Sequence, residues 1–350
     1  MQQYIKHSIT TKNRIQILQL LQEDGAISRI DIAKKMNITK AAVTLITNEM
    51  IRDGILYERG IQPQSQLSRG RRKILLDINE NYKLALGIVF DNDSLLIGLT
   101  NLRGETLDKH QISILGKTYH NVLECVVSEI SRILQNNCLS NDKILALGVC
   151  ISADSGAFIE GSLIQDKLHR VKKDLSHAID LPICTQSAIN ASLIAQNLFS
   201  SQKPPSENIL MLRYGSQIES GVFLQKKIYM PSPKYLGGFT ELQKMKNSKT
   251  YLAYLDELVS HENPAELTLA LNSQLANDIY MCNTILSVNQ IYVFGEHFET
   301  PEHINKITEI LSTTYKQKTK LSVGVVTDKT LYLAACAIAI QIYFFQTGGC

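Results

Sequence analysis

The hydrophobic rhythm of the chain changes after Asp77, and the change predicts two kinds of structure. Before that point apolar residues recur at helical spacing in three short stretches. TKNRIQILQLLQEDG, from Thr11, places Ile15, Leu18 and Leu21 on one helical face, and Gly25 closes it. SRIDIAKKM follows. Ser28 with an acid three residues on (Asp31) has capping-box spacing, so a second helix is predicted, with Ile30, Ala33 and Met36 buried. Asn37 and Ile38 supply a tight turn, and Thr39 caps a third helix, KAAVTLITNEMIRD, ended by Gly54. In it Val43, Ile46 and Met50 face inward, which leaves Lys40, Ala41, Thr44, Leu45 and Asn48 outside. ILYERG and RRKILLD then read as two strands flanking a polar loop, IQPQSQLSRG.

After Asp77 the pattern predicts strands first. YKLALGIVFD, SLLIGLTNL and ETLDKHQISI form a meander, and NVLECVVSEISRILQNN is an amphipathic helix. KILALGVCIS is a buried strand. LPICT is another, breaking into a polar turn, Thr185-Gln186-Ser187, before a small-residue helix. ENILMLRYGS, SGVFLQKKIYM, a helical region, QIYVFGE and an apolar final helix complete the chain. Strands followed by alternating helix and strand, done twice, predict a duplicated α/β fold. The expected units are a head at 1–77, a first lobe at 78–190 and a second at 191–350, with the final helix packing back on the first lobe.

Charge separates the same regions. Residues 1–77 hold 13 Lys/Arg and 7 Asp/Glu, a balance of +6, and the remainder of the 36 and 33 leaves −3 for the body. A basic head on a mildly acidic body points to a polyanion as the head's partner. The seven cysteines are odd in number, widely spaced and without a CxxC pair, so neither a disulfide framework nor a zinc site is signalled. MQQYIKHSITTKN lacks the apolar core of a signal peptide. LYLAACAIAIQIYFF (331–345) is short for a membrane span and suits a buried helix. The expected location is the cytoplasm, with no membrane partner.

Three helices and a two-stranded wing describe a winged helix-turn-helix, in which a short capped helix lets the next lay its amino end in the major groove. Lys40, Ala41, Ala42, Thr44, Leu45 and Asn48 are the candidate DNA contacts: small side chains allow close approach, and the polar ones meet phosphates or base edges. In SRGRRK (68–73) four cations and a Gly stand in six residues, so Arg69, Arg71 and Arg72 are candidates for the minor groove of A·T-rich DNA. A solvated basic loop and a protein-binding helix-turn-helix are the competing readings.

With these residues in view, the chain resembles the ROK family (repressors, open reading frames, kinases), in the group that carries an amino-terminal winged helix and includes xylose- and N-acetylglucosamine-responsive repressors. ITKAAVTLITNEMIRDGIL stands where that group has its recognition helix, and GRRKILLDINENYKLALGIVF matches its passage into the body. The resemblance implies an α/β fold, an amino-terminal winged helix-turn-helix followed by a two-lobed actin/hexokinase-like body. In the family's kinases the two lobes close over sugar and ATP.

The resemblance also locates what the body lacks. At the first phosphate turn, in GIVFDNDSLLIGL, Val89 replaces an acid and Asp91-Asn92-Asp93 replaces a Gly-rich turn, placing carboxylates where they would repel ATP. RYGSQIESG keeps Gly215 and Gly221, with Gln217 and Glu219 where the family repeats Gly. The catalytic Asp falls at Ala188 in LPICTQSAINASLIAQ, and alanine cannot take a proton from a sugar hydroxyl. In YLGGFTELQKM, Glu241 matches a sugar-binding Glu, and Lys244 replaces a zinc-ligand His, so no structural zinc or cofactor is expected. Asn190 and Glu241 are candidate ligand contacts; a helix cap and a solvated surface residue are the plain alternatives.

The expected function is a sequence-specific DNA-binding regulator, a repressor of carbohydrate-related genes. It would act on an inverted-repeat operator as a homo-oligomer, dimer or tetramer, with a catalytically inactive body that takes a sugar or sugar-phosphate effector. The rivals are a regulator controlled by a partner protein, whose body binds no sugar, and a sugar kinase with a DNA-binding head. The altered turns and Ala188 weigh against the kinase.

Overall fold

A computed structural model describes every residue except 1, 62–72, 154, 156–158, 160, 162, 201–207, 215–217, 226, 230–263, 289, 296, 297, 299, 300, 318 and 350. The head opens on α1 (Gln2–Asp24), which starts well before Thr11 and buries Ile17, Leu18 and Leu21. Arg14, one turn earlier, donates from Nε to the Gly348 carbonyl (3.1 Å) and pairs with Asp53 (3.1 Å), so the carboxyl-terminal tail covers this end of the helix face.

A two-residue strand, β1 (Ile27–Ser28), leads into α2 (Arg29–Met36). The Ser28 hydroxyl caps the helix by accepting from the Asp31 N–H, and it donates to the Asp31 carboxylate at 2.6 Å. Ile32 and Ala33 are the buried residues of α2, and Ile30 is exposed, against expectation. The reason is angular: at about 100° per residue the stripe Ile32-Met36-Ala33 centres on Met36, and Ile30 lies about 120° away. Asn37 takes a left-handed conformation (φ 53°), ends α2 and turns the chain into α3 (Lys40–Arg52), capped by Thr39. The wing strands β2 (Leu56–Ile61) and β3 (Ile74–Ile78) pair antiparallel, and β3 also pairs with β1.

Among the described residues the body contains two five-stranded sheets. The first has the order β6-β5-β4-β7-β8, from β4 (Leu84–Asp91), β5 (Ser94–Thr100), β6 (Thr106–Ser113), β7 (Ile144–Ile151) and β8 (Ile183–Ser187). The second has the order β11-β10-β9-β12-β13, from β9 (Ile209–Tyr214), β10 (Ile218–Leu224), β11 (Lys227–Ile228), β12 (Gln290–Gly295) and β13 (Lys320–Val323). Thr185, Gln186 and Ser187 were expected to turn but belong to β8, because β7 carries the parallel ladder on through Ile151 opposite Ser187. One face of the first sheet is covered by α4 (Tyr119–Asn136) and α5 (Ile164–Ala178), the latter not anticipated from the sequence. The other faces α6 (Ala188–Phe199), which also packs on β9 and β10. Two helices, α7 (Pro264–Leu286) and α8 (Pro301–Thr313), cover the far side of the second sheet.

The final helix, α9 (Tyr332–Ile340), lies across the inner face of the first sheet and continues into a π-helical turn, Gln341–Phe345. Its seat is a row of glycines. Gly98, Gly87 and Gly148 stand in register on β5, β4 and β7, and a Cβ on any of them would strike α9. No helix among the described residues is long and apolar enough to cross a membrane.

The helix also seals in three thiols. Cys150, Cys184 and Cys336 are buried, and burial pushes Cys184 and Cys336 up to about 12 and Cys150 well above its ordinary value. Iodoacetamide at pH 8 should therefore label exposed Cys138 in the native protein and spare these three, as read by peptide mass mapping. Because the folded thiols titrate above their unfolded value of 9.0, their contribution to stability is intact below pH 9 and declines as pH rises through that range.

Candidate functional site

The open face of α3 is a single stripe. Val43, Ile46, Thr47 and Met50 are buried, so Lys40, Ala41, Thr44, Leu45 and Asn48 are left exposed and Ala42 half-buried. Leu45 is 64% exposed, a large apolar side chain held in solvent among polar neighbours. Thr44 donates its hydroxyl proton to the Lys40 carbonyl at 2.8 Å, which leaves its oxygen as an acceptor. Asn48 accepts from Arg29 Nη2 at 3.0 Å. The helix presents its amino end and this stripe together, a shape that fits a major groove.

Of the linker cations, Arg69, Arg71 and Arg72 lie outside the described residues. Lys73 is committed elsewhere: its ammonium is 3.0 Å from both Asp31 oxygens at the start of α2. The Ser28 hydroxyl, aided by Lys73, holds the Asp31 carboxyl below its ordinary range. Head and body meet at Asp77, which is buried. Arg59 of the wing (3.1 Å) and Arg103 of the β5–β6 turn (2.7 Å) both pair with it.

In the body, the turn after β4 is a two-residue hairpin with Asn92 left-handed (φ 47°). Asp91 does not stand there as a bare charge. Arg213 on β9 donates from Nη2 to Asp91 (2.8 Å), from Nη1 to Glu219 on β10 (3.0 Å) and from Nε to Asp328 before α9 (2.8 Å). Asp91 is thus part of an internal ion cluster that joins the end of β4 to β9, β10 and the segment before α9. Burial opposes the guanidinium's charge, but Glu219, Asp91 and Asp328 outweigh it and keep its pKa above the ordinary value. Sequence reading missed this residue. The available signal was a lone Arg in the otherwise apolar run ILMLRY, since a buried Arg is almost always paired.

Gly221 also has a local explanation. A Cβ there would come within 2.9 Å of Leu193 and 3.3 Å of Asn190 Oδ1, so the glycine admits α6 against β10. Asn190 sits in the first turn of α6, half-buried, and does not cap it: the N-cap position belongs to Ser187. Ala188 is fully buried and offers no proton acceptor. Glu241 and Lys244 lie outside the described residues.

Known proteins resemble both parts. The family described as winged helix-turn-helix DNA-binding matches residues 10–57. The xylose repressor of Caldicellulosiruptor bescii is 22% identical over 230 residues, 64% of this chain and 57% of the relative, so the chain spans little more than half of that protein's length. The xylose repressor of Staphylococcus xylosus is 23% identical over 321 residues, 87% of this chain and 79% of the relative. A solved ROK family transcriptional regulator, a homologue of the E. coli MLC protein, superposes with a TM-score of 0.70 at 19% identity, covering 97% of this chain and 98% of that one. The chain therefore joins a head that matches the winged helix-turn-helix DNA-binding family to a body with the fold of a solved ROK family transcriptional regulator.

Proposed function

We propose that this protein is a sequence-specific transcriptional regulator, a repressor of carbohydrate-related genes, whose ROK-type body has given up phosphoryl transfer. The observation that carries the proposal is the exposed stripe of α3, with small residues at its amino end and a wing beside it. Residues 1–77 would bind DNA, with Lys40, Ala41, Ala42, Thr44, Leu45 and Asn48 toward the major groove and Arg69, Arg71 and Arg72 toward the minor groove. Lobes 78–190 and 191–350 would supply homo-oligomer contacts, dimer or tetramer, matching an inverted-repeat operator. A sugar or sugar-phosphate effector would meet Asn190 and Glu241. The relatives named for xylose support the carbohydrate link.

Genome-wide footprinting of the bound protein tests this directly: discrete palindromic sites beside sugar-utilisation genes are expected, and uniform coverage would refute it. Ala41→Glu places a carboxylate at the exposed amino end of α3, against the phosphates. It should weaken operator binding by about 100-fold in a mobility shift while leaving the melting temperature unchanged.

Two supports argue against an active kinase. The position matching the family's base is a buried alanine, and the altered phosphate turns are bound to one another through Arg213. Purified protein should show no ATP-dependent phosphorylation of glucose, xylose or N-acetylglucosamine, and clear turnover would overturn the inactive body.

A further inference from the structure

Arg29 opens α2, and its guanidinium reaches both the recognition helix and the wing. Nε donates to the Thr47 hydroxyl (3.0 Å), Nη2 to Asn48 Oδ1 (3.0 Å) and Nη1 to Glu58 Oε1 on β2 (2.9 Å). Thr47 is fully buried and passes its own proton to the Val43 carbonyl at 2.8 Å, so the clamp is anchored in the core of the head. Asn48, by contrast, lies on the open face of α3.

The chemistry of that contact orients the amide. A guanidinium carries donors alone, so the end of Asn48 that faces it must be the oxygen. The two N–H donors of Nδ2 are then what Asn48 has to offer a base. An unrestrained Asn pairs with adenine through both ends, accepting from N6 and donating to N7. Here the oxygen already accepts a charged hydrogen bond and is crowded by the group that makes it. Guanine presents acceptors only, N7 and O6, on its major-groove edge, and a donor-only amide matches it.

We propose, resting on the DNA-binding role of the head, that Arg29 is a positioning residue that makes Asn48 a donor-only reader and sets guanine as the base it meets. Arg29 touches no base in this scheme. It selects the base by fixing which end of the Asn48 amide is presented.

Selection of the full-length protein on a randomised duplex library, followed by sequencing, tests the assignment. Wild type should return a motif with one position per half-site that prefers guanine over adenine about tenfold. Asn48→Ala should flatten that position alone. Arg29→Met keeps the aliphatic stem, frees Oδ1 and should move the preference toward adenine. Glu58→Gln leaves the clamp on Asn48 and should keep guanine. Asn48→Asp still pairs with Arg29 but presents oxygens, so its preference should pass to a base with an exocyclic donor, cytosine or adenine. Arg29→Gln carries the test if Arg29→Met fails to fold by circular dichroism: its amide can meet either end of Asn48, so the guanine preference should relax toward adenine, and retained guanine would overturn the inference. The inference is overturned, with the DNA-binding role intact, if a motif emerges whose Asn48-dependent position is adenine in wild type. The same holds if Arg29→Met retains guanine, or if no position responds to Asn48. A wild-type protein that enriches no motif would refute the DNA-binding role itself and the inference with it.

Discussion

Arg213→Met should destabilise the protein by about 3–5 kcal/mol, read as a lower midpoint in urea unfolding. The guanidinium and Glu219 are almost wholly buried, Asp91 is nearly so, and Asp328 is about one-third exposed. Removing the cation leaves three carboxylates converging on an apolar side chain, and the deep one cannot recover its lost hydration. The stem of Met preserves most of the packing, so the loss reports charge more than volume. A second substitution sharpens the test. Arg213→Met with Glu219→Leu removes the most deeply buried of these carboxylates and should be more stable than Arg213→Met alone, because replacing a buried pair costs less than breaking it. If Arg213→Met melts with wild type, the ion cluster does not hold the two sheets together.

Gly148→Val sets two effects against each other. Gly148 lies in β7, between β4 and β8, where valine suits a strand by about 1 kcal/mol. Against this, a Cβ at Gly148 would lie 1.8 Å from the Ala335 carbonyl oxygen of α9, and backbone cannot rotate aside as a side chain can. Overpacking costs roughly 1–3 kcal/mol even where side chains give way. The clash should win, with a net loss of about 2 kcal/mol or more and α9 lifted from the sheet. The displacement should reach the head, since the tail beyond α9 holds Arg14 through the Gly348 carbonyl and Tyr82 through the Gly349 carbonyl. Thermal unfolding measures the first effect, and operator affinity the second. A Gly148→Val protein as stable as wild type would show that α9 does not rest on the glycine row.

How far the sequence could be read differed between the two parts for a physical reason. In the head the signals are local. Ser28 and Thr39 cap the helices they precede, Asn37 makes the left-handed turn, and the inward residues Val43, Ile46 and Met50 fix which face of α3 stays open. Two readings in the head failed. Ile30 was placed inside although the helical angle sets it about 120° from the stripe centred on Met36, and Arg14 was not expected beneath the tail because residue 348 is not visible within a short window. The linker arginines and Glu241 remain expectations resting on charge and on family resemblance.

In the body the strands were legible as apolar runs, yet their functional chemistry was not. Asp91 reads with Asp93 as a charge repelling ATP, Glu219 reads as standing in place of a glycine, and Asp328 has no reading at all; the cation that unites them stands 122 residues from Asp91 and 115 from Asp328. Likewise Gly87, Gly98 and Gly148 are unremarked in three separate strands and become a groove only once β5, β4 and β7 are set in register. The amino-acid sequence by itself determined the caps, turns and open face of α3, because those follow from contacts a few residues apart. Only the tertiary structure decided what Asp91 and Glu219 pair with and what seats the final helix. Charges and close approaches of that kind act through space, and their partners are chosen by the strand order, which no local pattern contains.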